Sequence, residues 1–107
     1  MKAQKMKRIV EGKVYDTETA EEIATYEPFS DRTKFQWWSE TLYRTKKGRY
    51  FKYGIGGPMS KYAETFPGGA TGGEVIVPLT DKEAFEWLAS YFPEKAIELF
   101  PEQVEEA

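Results

Sequence analysis

Apolar and polar positions alternate with a period of two through much of the chain and switch to a helical period only near its end. Lys7–Val10 and Lys13–Asp16 are short β-prone runs joined at Glu11-Gly12, a pair suited to a tight hairpin. Residues 16–20 admit two readings. Asp16 or Thr17 can cap a helix over 18–25, or 17–20 can form a turn before a strand at 22–26 with Ile23 and Thr25 on one face. Apolar positions are too few for a helical stripe, which favours the turn, and Pro28 ends the segment. Residues 30–39 read as a loop or a single helical turn, with Phe35 and Trp38 sharing a face and Trp37 left over.

The clearest hairpin runs from 40–45 through Lys46-Lys47-Gly48 to 49–53. A three-residue loop ending in glycine suits a type I turn with a bulge, Gly48 taking the positive φ. That register sets Thr45 opposite Arg49, Tyr43 opposite Phe51 and Thr41 opposite Tyr53. Tyr43, Phe51 and Tyr53 then share one apolar, buried face; Leu42, Arg44, Tyr50 and Lys52 share the other. Gly54, Gly56, Gly57 and Pro58 break the sheet, 60–66 suggests a helical turn, and 67–73 reads as a flexible glycine-rich loop. Residues 74–78 form an apolar strand. Thr80-x-x-Glu83 is a capping box, and Ala84, Trp87, Leu88 and Tyr91 make one helical stripe behind it. Pro93 starts a second short helix, ended by Pro101. The fold class is α+β: a small antiparallel β-sheet with C-terminal helices packed on one face, in a single domain over 1–107 whose ends, 1–6 and 102–107, are frayed.

Charge changes this picture of a plain small domain. Residues 32–52 carry seven basic residues and one acid (Glu40), together with a concentration of aromatics. Residues 14–31 hold six acids and no base, and 81–107 hold eight acids against two lysines. The net charge of −3 therefore conceals a cationic block between two anionic ones. There is no cysteine and no histidine, which removes disulfides, thiolate nucleophiles, the usual proton shuttle and the usual metal ligands. No apolar run is long enough to span a membrane, and a cytoplasmic location is expected.

Candidate chemistry is sparse. Gly54-x-Gly56-Gly57-Pro58-Met59-Ser60-Lys61 invites a phosphate-loop reading, but serine precedes lysine, and Met59 occupies the place of the third glycine in a dinucleotide fingerprint. Asp16, Glu18, Glu21 and Glu22 lack the spacing of a calcium loop. No serine has a histidine to activate it. No catalytic residue, metal site or cofactor is expected. The cations Arg44, Lys46, Lys47, Arg49 and Lys52 beside Tyr50 are the leading partner-binding residues. Aromatics and arginine anchor protein interfaces, and aromatics with cations also hold single-stranded nucleic acid. Glu18, Glu21 and Glu22 form a second candidate set, able to imitate a phosphate backbone.

Three blocks carry a family resemblance: Tyr15-Asp16-Thr17-Glu18-Thr19-Ala20, then Glu40-Thr41-Leu42-Tyr43-Arg44-Thr45-Lys46-Lys47-Gly48-Arg49-Tyr50-Phe51, then Gly56-Gly57-Pro58-Met59-Ser60-Lys61-Tyr62-Ala63. With Pro78-Leu79-Thr80 and Glu83-Ala84-x-x-Trp87-Leu88, the chain from about Ile9 to Leu88 resembles a family of small proteins carried by bacterial phages and other mobile elements. The resemblance supplies no catalytic residues. It implies a context in which small, acidic, cysteine-free proteins inhibit host defence, anti-CRISPR proteins among them. The expected partner is thus a host protein, such as a CRISPR-associated effector complex, with nucleic acid as the alternative.

Overall fold

The computed structural model describes residues 5–107. Eight strands precede two helices: β1 (Lys7–Val10), β2 (Lys13–Asp16), β3 (Glu21–Tyr26), β4 (Trp38–Arg44), β5 (Tyr50–Gly56), β6 (Glu64–Phe66), β7 (Gly69–Thr71), β8 (Gly73–Leu79), α1 (Asp81–Tyr91) and α2 (Pro93–Leu99). The fold is α+β, as the sequence pattern implies. A four-stranded antiparallel sheet in the order β3-β4-β5-β8 forms the middle, with the hairpins β1–β2 and β6–β7 as separate ribbons. The β1–β2 turn places Glu11 at φ 52° and Gly12 at φ 77°, the paired left-handed geometry that matches strand twist. The turn reading of 16–20 holds, since Ala20 N–H donates to Asp16 O before β3 begins.

The β4–β5 register is the expected one, with Thr41 opposite Tyr53 and Tyr43 opposite Phe51, and Gly48 at φ 89°. The Tyr43 and Phe51 rings stack at 5.1 Å. This face also takes Tyr53 and Ile76 and is roofed by the β1–β2 hairpin, whose Tyr15 meets Phe51 edge-on at 5.6 Å. The helices cover the opposite face, over Leu42 and Tyr50. Tyr50 is therefore core, 6% exposed and against Phe100, not the accessible side chain expected of it. Both sheet faces are dry because a second layer lies on each.

Other expectations need correction. A bulge between Glu22 and Ala24 puts Ile23 on the helix side, while Thr25 points the other way and its hydroxyl meets that of Thr41 at 2.9 Å. Trp37 is buried, Trp38 opens β4, and Phe35 stands 61% exposed, so Phe35 and Trp38 share no buried face. Of the helical turn expected at 60–66 only 60–63 turns, closed by Ala63 N–H to Ser60 O at 3.1 Å; 64–66 and most of the loop expected at 67–73 form the β6–β7 hairpin instead. Proline fixes φ at Pro67 and Gly68 accepts φ 95°, which closes the turn. At the N-terminus, residues 1–4 lie outside the described residues, but Met6 is tied down: its N–H donates to Thr17 Oγ1 at 3.0 Å. The capping box forms as expected, with Glu83 N–H to Thr80 Oγ1 at 3.1 Å and Thr80 N–H to Glu83 Oε1 at 2.8 Å. Ala84, Trp87 and Leu88 are buried, and Tyr91 stacks on Tyr26 at 3.9 Å.

Candidate interaction surface

The β4–β5 turn projects beyond the sheet and carries Arg44, Lys46, Lys47 and Arg49, all exposed. Its shape is rigid: Thr45 N–H donates to Arg49 O at 2.7 Å, Gly48 N–H to Thr45 O at 2.9 Å, and Arg49 N–H to Thr45 Oγ1 at 3.0 Å. Arg44 lies over the Tyr50 ring at 5.8 Å, a cross-strand cation–π contact. Among the described residues, the ion pairs involve none of these four cations.

Among the described residues, three open clefts adjoin this tip. One of about 360 Å³ lies towards the β1–β2 hairpin and is lined by Lys13, Lys46, Lys47 and Arg49, with Thr19, Thr45 and Tyr15, and by no acid among the described residues. A second, about 570 Å³, contains Asp81 beside Lys47 and Arg49. The third, about 360 Å³, contains Glu21 beside Arg44 and Lys46. The tip is thus cationic at its crown and bounded by one carboxylate on either flank.

Two of the expected contact residues belong elsewhere. Tyr50 is buried, and Lys52 turns inward towards the Glu40 carboxylate at 3.6 Å. The acids Glu18, Glu21 and Glu22 do not converge. Glu18 sits in the turn paired with Lys5 at 3.6 Å, Glu21 faces Arg44 across β3–β4, and Glu22 lies on the opposite sheet face to Glu21 and accepts from Thr25 at 3.1 Å. A continuous imitation of a phosphate backbone is not formed by these three. Among the described residues, no group of three or more carboxylates is placed to hold a metal ion.

The most elaborate polar site is one the sequence reading passed over. Glu40 is 1% exposed on the helix side of β4. Its Oε1 accepts from Trp87 Nε1 at 2.7 Å, and its Oε2 accepts from Lys61 Nζ at 2.7 Å and from the Tyr62 hydroxyl. Tyr62 reaches it because Gly54 has no side chain; a Cβ there would fall 2.2 Å from the Tyr62 ring. Lys61 is also held 4.0 Å from the Trp38 ring centre. Burial pushes the Glu40 carboxyl up, but the bonds from Lys61, Tyr62 and Trp87 and the charge of Lys52 outweigh it and hold the carboxyl below its ordinary value. The Tyr62 phenol is raised far above its usual range, by burial first and then by the Glu40 bond. With both oxygens hydrogen-bonded and none of the clefts described above reaching it, this carboxylate pins α1 and the 57–63 loop to the sheet. Its signal in the sequence was its isolation, the one acid among seven bases.

No protein-family model, curated protein or solved structure matches the chain.

Proposed function

We propose that this protein acts by binding another protein, docking the cationic β4–β5 tip against an acidic surface, and that it has no catalytic activity of its own. The observation that carries this reading is four exposed cations, Arg44, Lys46, Lys47 and Arg49, on a hairpin of fixed register, none of them in an ion pair among the described residues. Keeping unpaired charge on an ordered element suits electrostatic steering and complementarity with a partner. A protein partner is favoured over single-stranded nucleic acid because the tip offers no stacking platform: Tyr50 and Tyr15 are each 6% exposed. The resemblance to phage and mobile-element proteins makes a host defence effector, of the CRISPR-associated kind, the partner to test first. No described helix is long and apolar enough to cross a membrane.

The test is affinity capture from a bacterial lysate with mass-spectrometric identification, using the wild-type protein and the triple variant Arg44→Glu, Lys47→Glu and Arg49→Glu. All three side chains are exposed, so the fold should persist while capture is lost. A parallel triple, Glu18→Lys, Glu21→Lys and Glu22→Lys, should leave capture intact. Equal capture by the hairpin variant and the wild type, with tight oligonucleotide binding lost only in that variant, would replace the protein partner with nucleic acid.

A further inference from the structure

The acid-free cleft between the two hairpins has a property the tip as a whole lacks. Lys13 of β2 and Lys46, Lys47 and Arg49 of the β4–β5 turn all line one space of about 360 Å³. Thr19, Thr45 and Tyr15 form part of its wall. Among the described residues, the ion pairs involve none of these four cations. Four like charges sharing a cleft repel one another, and an anion placed between them relieves all four at once. The adjoining clefts each contain a carboxylate, Asp81 on one side and Glu21 on the other. A long polyanion leaving this cleft in either direction meets negative charge, whereas a compact one meets none.

We propose that this cleft binds a compact, multiply charged phosphate group: two or three linked phosphates, free or as the tail of a nucleotide. Linked phosphates concentrate several charges and many acceptor oxygens in little volume. Arginine matches phosphate geometry through its forked donors, and the lysines act as point charges around it. An acidic peptide of equal charge brings one backbone unit and one side chain for every carboxylate and fills more space for the same attraction. The cleft shares Lys46, Lys47 and Arg49 with the docking tip, but Lys13 and Thr19 belong to it alone and Arg44 to the tip alone, so variants at Lys13 and at Arg44 separate the two readings.

The experiment is a titration of the full-length protein followed by amide chemical shifts and by calorimetry at constant ionic strength. The probes are inorganic tripolyphosphate, ATP, orthophosphate, a hexaglutamate peptide and a short single-stranded oligonucleotide. Tripolyphosphate should saturate, shifting the amides of Gly12 to Tyr15, Thr19 and Thr45 to Arg49, and should bind at least about tenfold more tightly than orthophosphate or hexaglutamate, as expected for several charge-assisted bonds to one group. ATP binding equal to tripolyphosphate assigns recognition to the phosphates alone; tighter ATP binding adds a contact of the nucleoside with the Val14 and Tyr15 wall. Lys13→Gln should weaken tripolyphosphate by roughly tenfold at an unchanged melting temperature, the loss of one charge-assisted contact, and leave partner capture as it was. Arg44→Glu, outside this cleft, should weaken partner capture and leave tripolyphosphate binding within a small factor. Shifts spread over all surface lysines, tripolyphosphate no tighter than orthophosphate, or peptide or oligonucleotide binding as tight as tripolyphosphate would each overturn the assignment.

Discussion

Replacing Glu40 by glutamine keeps the shape of the side chain and removes its charge, which makes it a sharp probe of the buried network. Glutamine retains one acceptor oxygen, but its NH2 group then faces donors, because Trp87 Nε1, Lys61 Nζ, Lys52 Nζ and the Tyr62 hydroxyl surround the site. Breaking a buried pair by removing one partner costs about 3–5 kcal/mol. Here the cations have an escape, since the Lys61 side chain is 47% and that of Lys52 23% exposed, so the low end applies. Whichever way the amide turns, its NH2 group meets a donor, Trp87 Nε1 on one side or Lys61 and the Tyr62 hydroxyl on the other, and the bond left unmade there contributes about 1–3 kcal/mol of that total. A net loss of about 3 kcal/mol is expected, a large share of the stability of a domain this size and roughly a 10–20 °C fall in melting temperature. Urea denaturation followed by tryptophan fluorescence and circular dichroism measures it. The pH dependence supplies an independent check. The Glu40 carboxyl sits below its ordinary value of 4.5 in the folded protein, so its contribution is complete above that value. It is lost as pH falls through the lower folded value. The stability gap between the wild type and Glu40→Gln should accordingly be constant near neutrality and close as the solution is acidified below 4.5. Glu27, also held low by its hydrogen bond from Arg32, titrates in both proteins and cancels in the difference. A loss under about 1 kcal/mol, the size of an exposed pair, or a gap that widens in acid, would refute the account of Glu40 as a buried, charged pin.

The two faces of β5 should prove energetically similar: Phe51→Ala should cost about 3–5 kcal/mol and Tyr50→Ala a comparable amount, because each ring is sealed by a different layer. Chemical denaturation that ranks Tyr50→Ala near zero would show the helices loosely seated on the sheet. Thr80→Ala should lose about 1 kcal/mol by freeing the Glu83 N–H, with the α1 helix retained on its buried Trp87 and Leu88 stripe; an unchanged melting curve would mean the cap contributes nothing in solution. The hairpin triple reversal should abolish partner capture at an unaltered circular dichroism spectrum, as complementary charge at a docking surface requires.

Features governed by near neighbours were legible in the chain. The Lys46-Lys47-Gly48 turn set the β4–β5 register, Glu11-Gly12 set the first hairpin, and Thr80 with Glu83 set the start of α1, because each depends on contacts within a few residues. The cationic crown was legible for the same reason, its charges lying together on one short turn. What lay on either side of the sheet was not. Alternation identifies two faces of a strand but does not say that both are covered, and so Tyr50 and Lys52 read as surface residues until α1, α2 and the 57–63 loop were in place. Glu40 shows the same limit more strongly. Its partners come from residues 52, 61, 62 and 87, on separate elements, and only their convergence turns an ordinary strand carboxylate into a buried anchor. The acid-free cleft likewise needs Lys13 brought across to the β4–β5 turn, a juxtaposition created when Tyr15 packs its hairpin onto Phe51. Local chemistry wrote the strands, turns and charge blocks; burial, which depends on what each face meets, decided which of their side chains remain available to a partner.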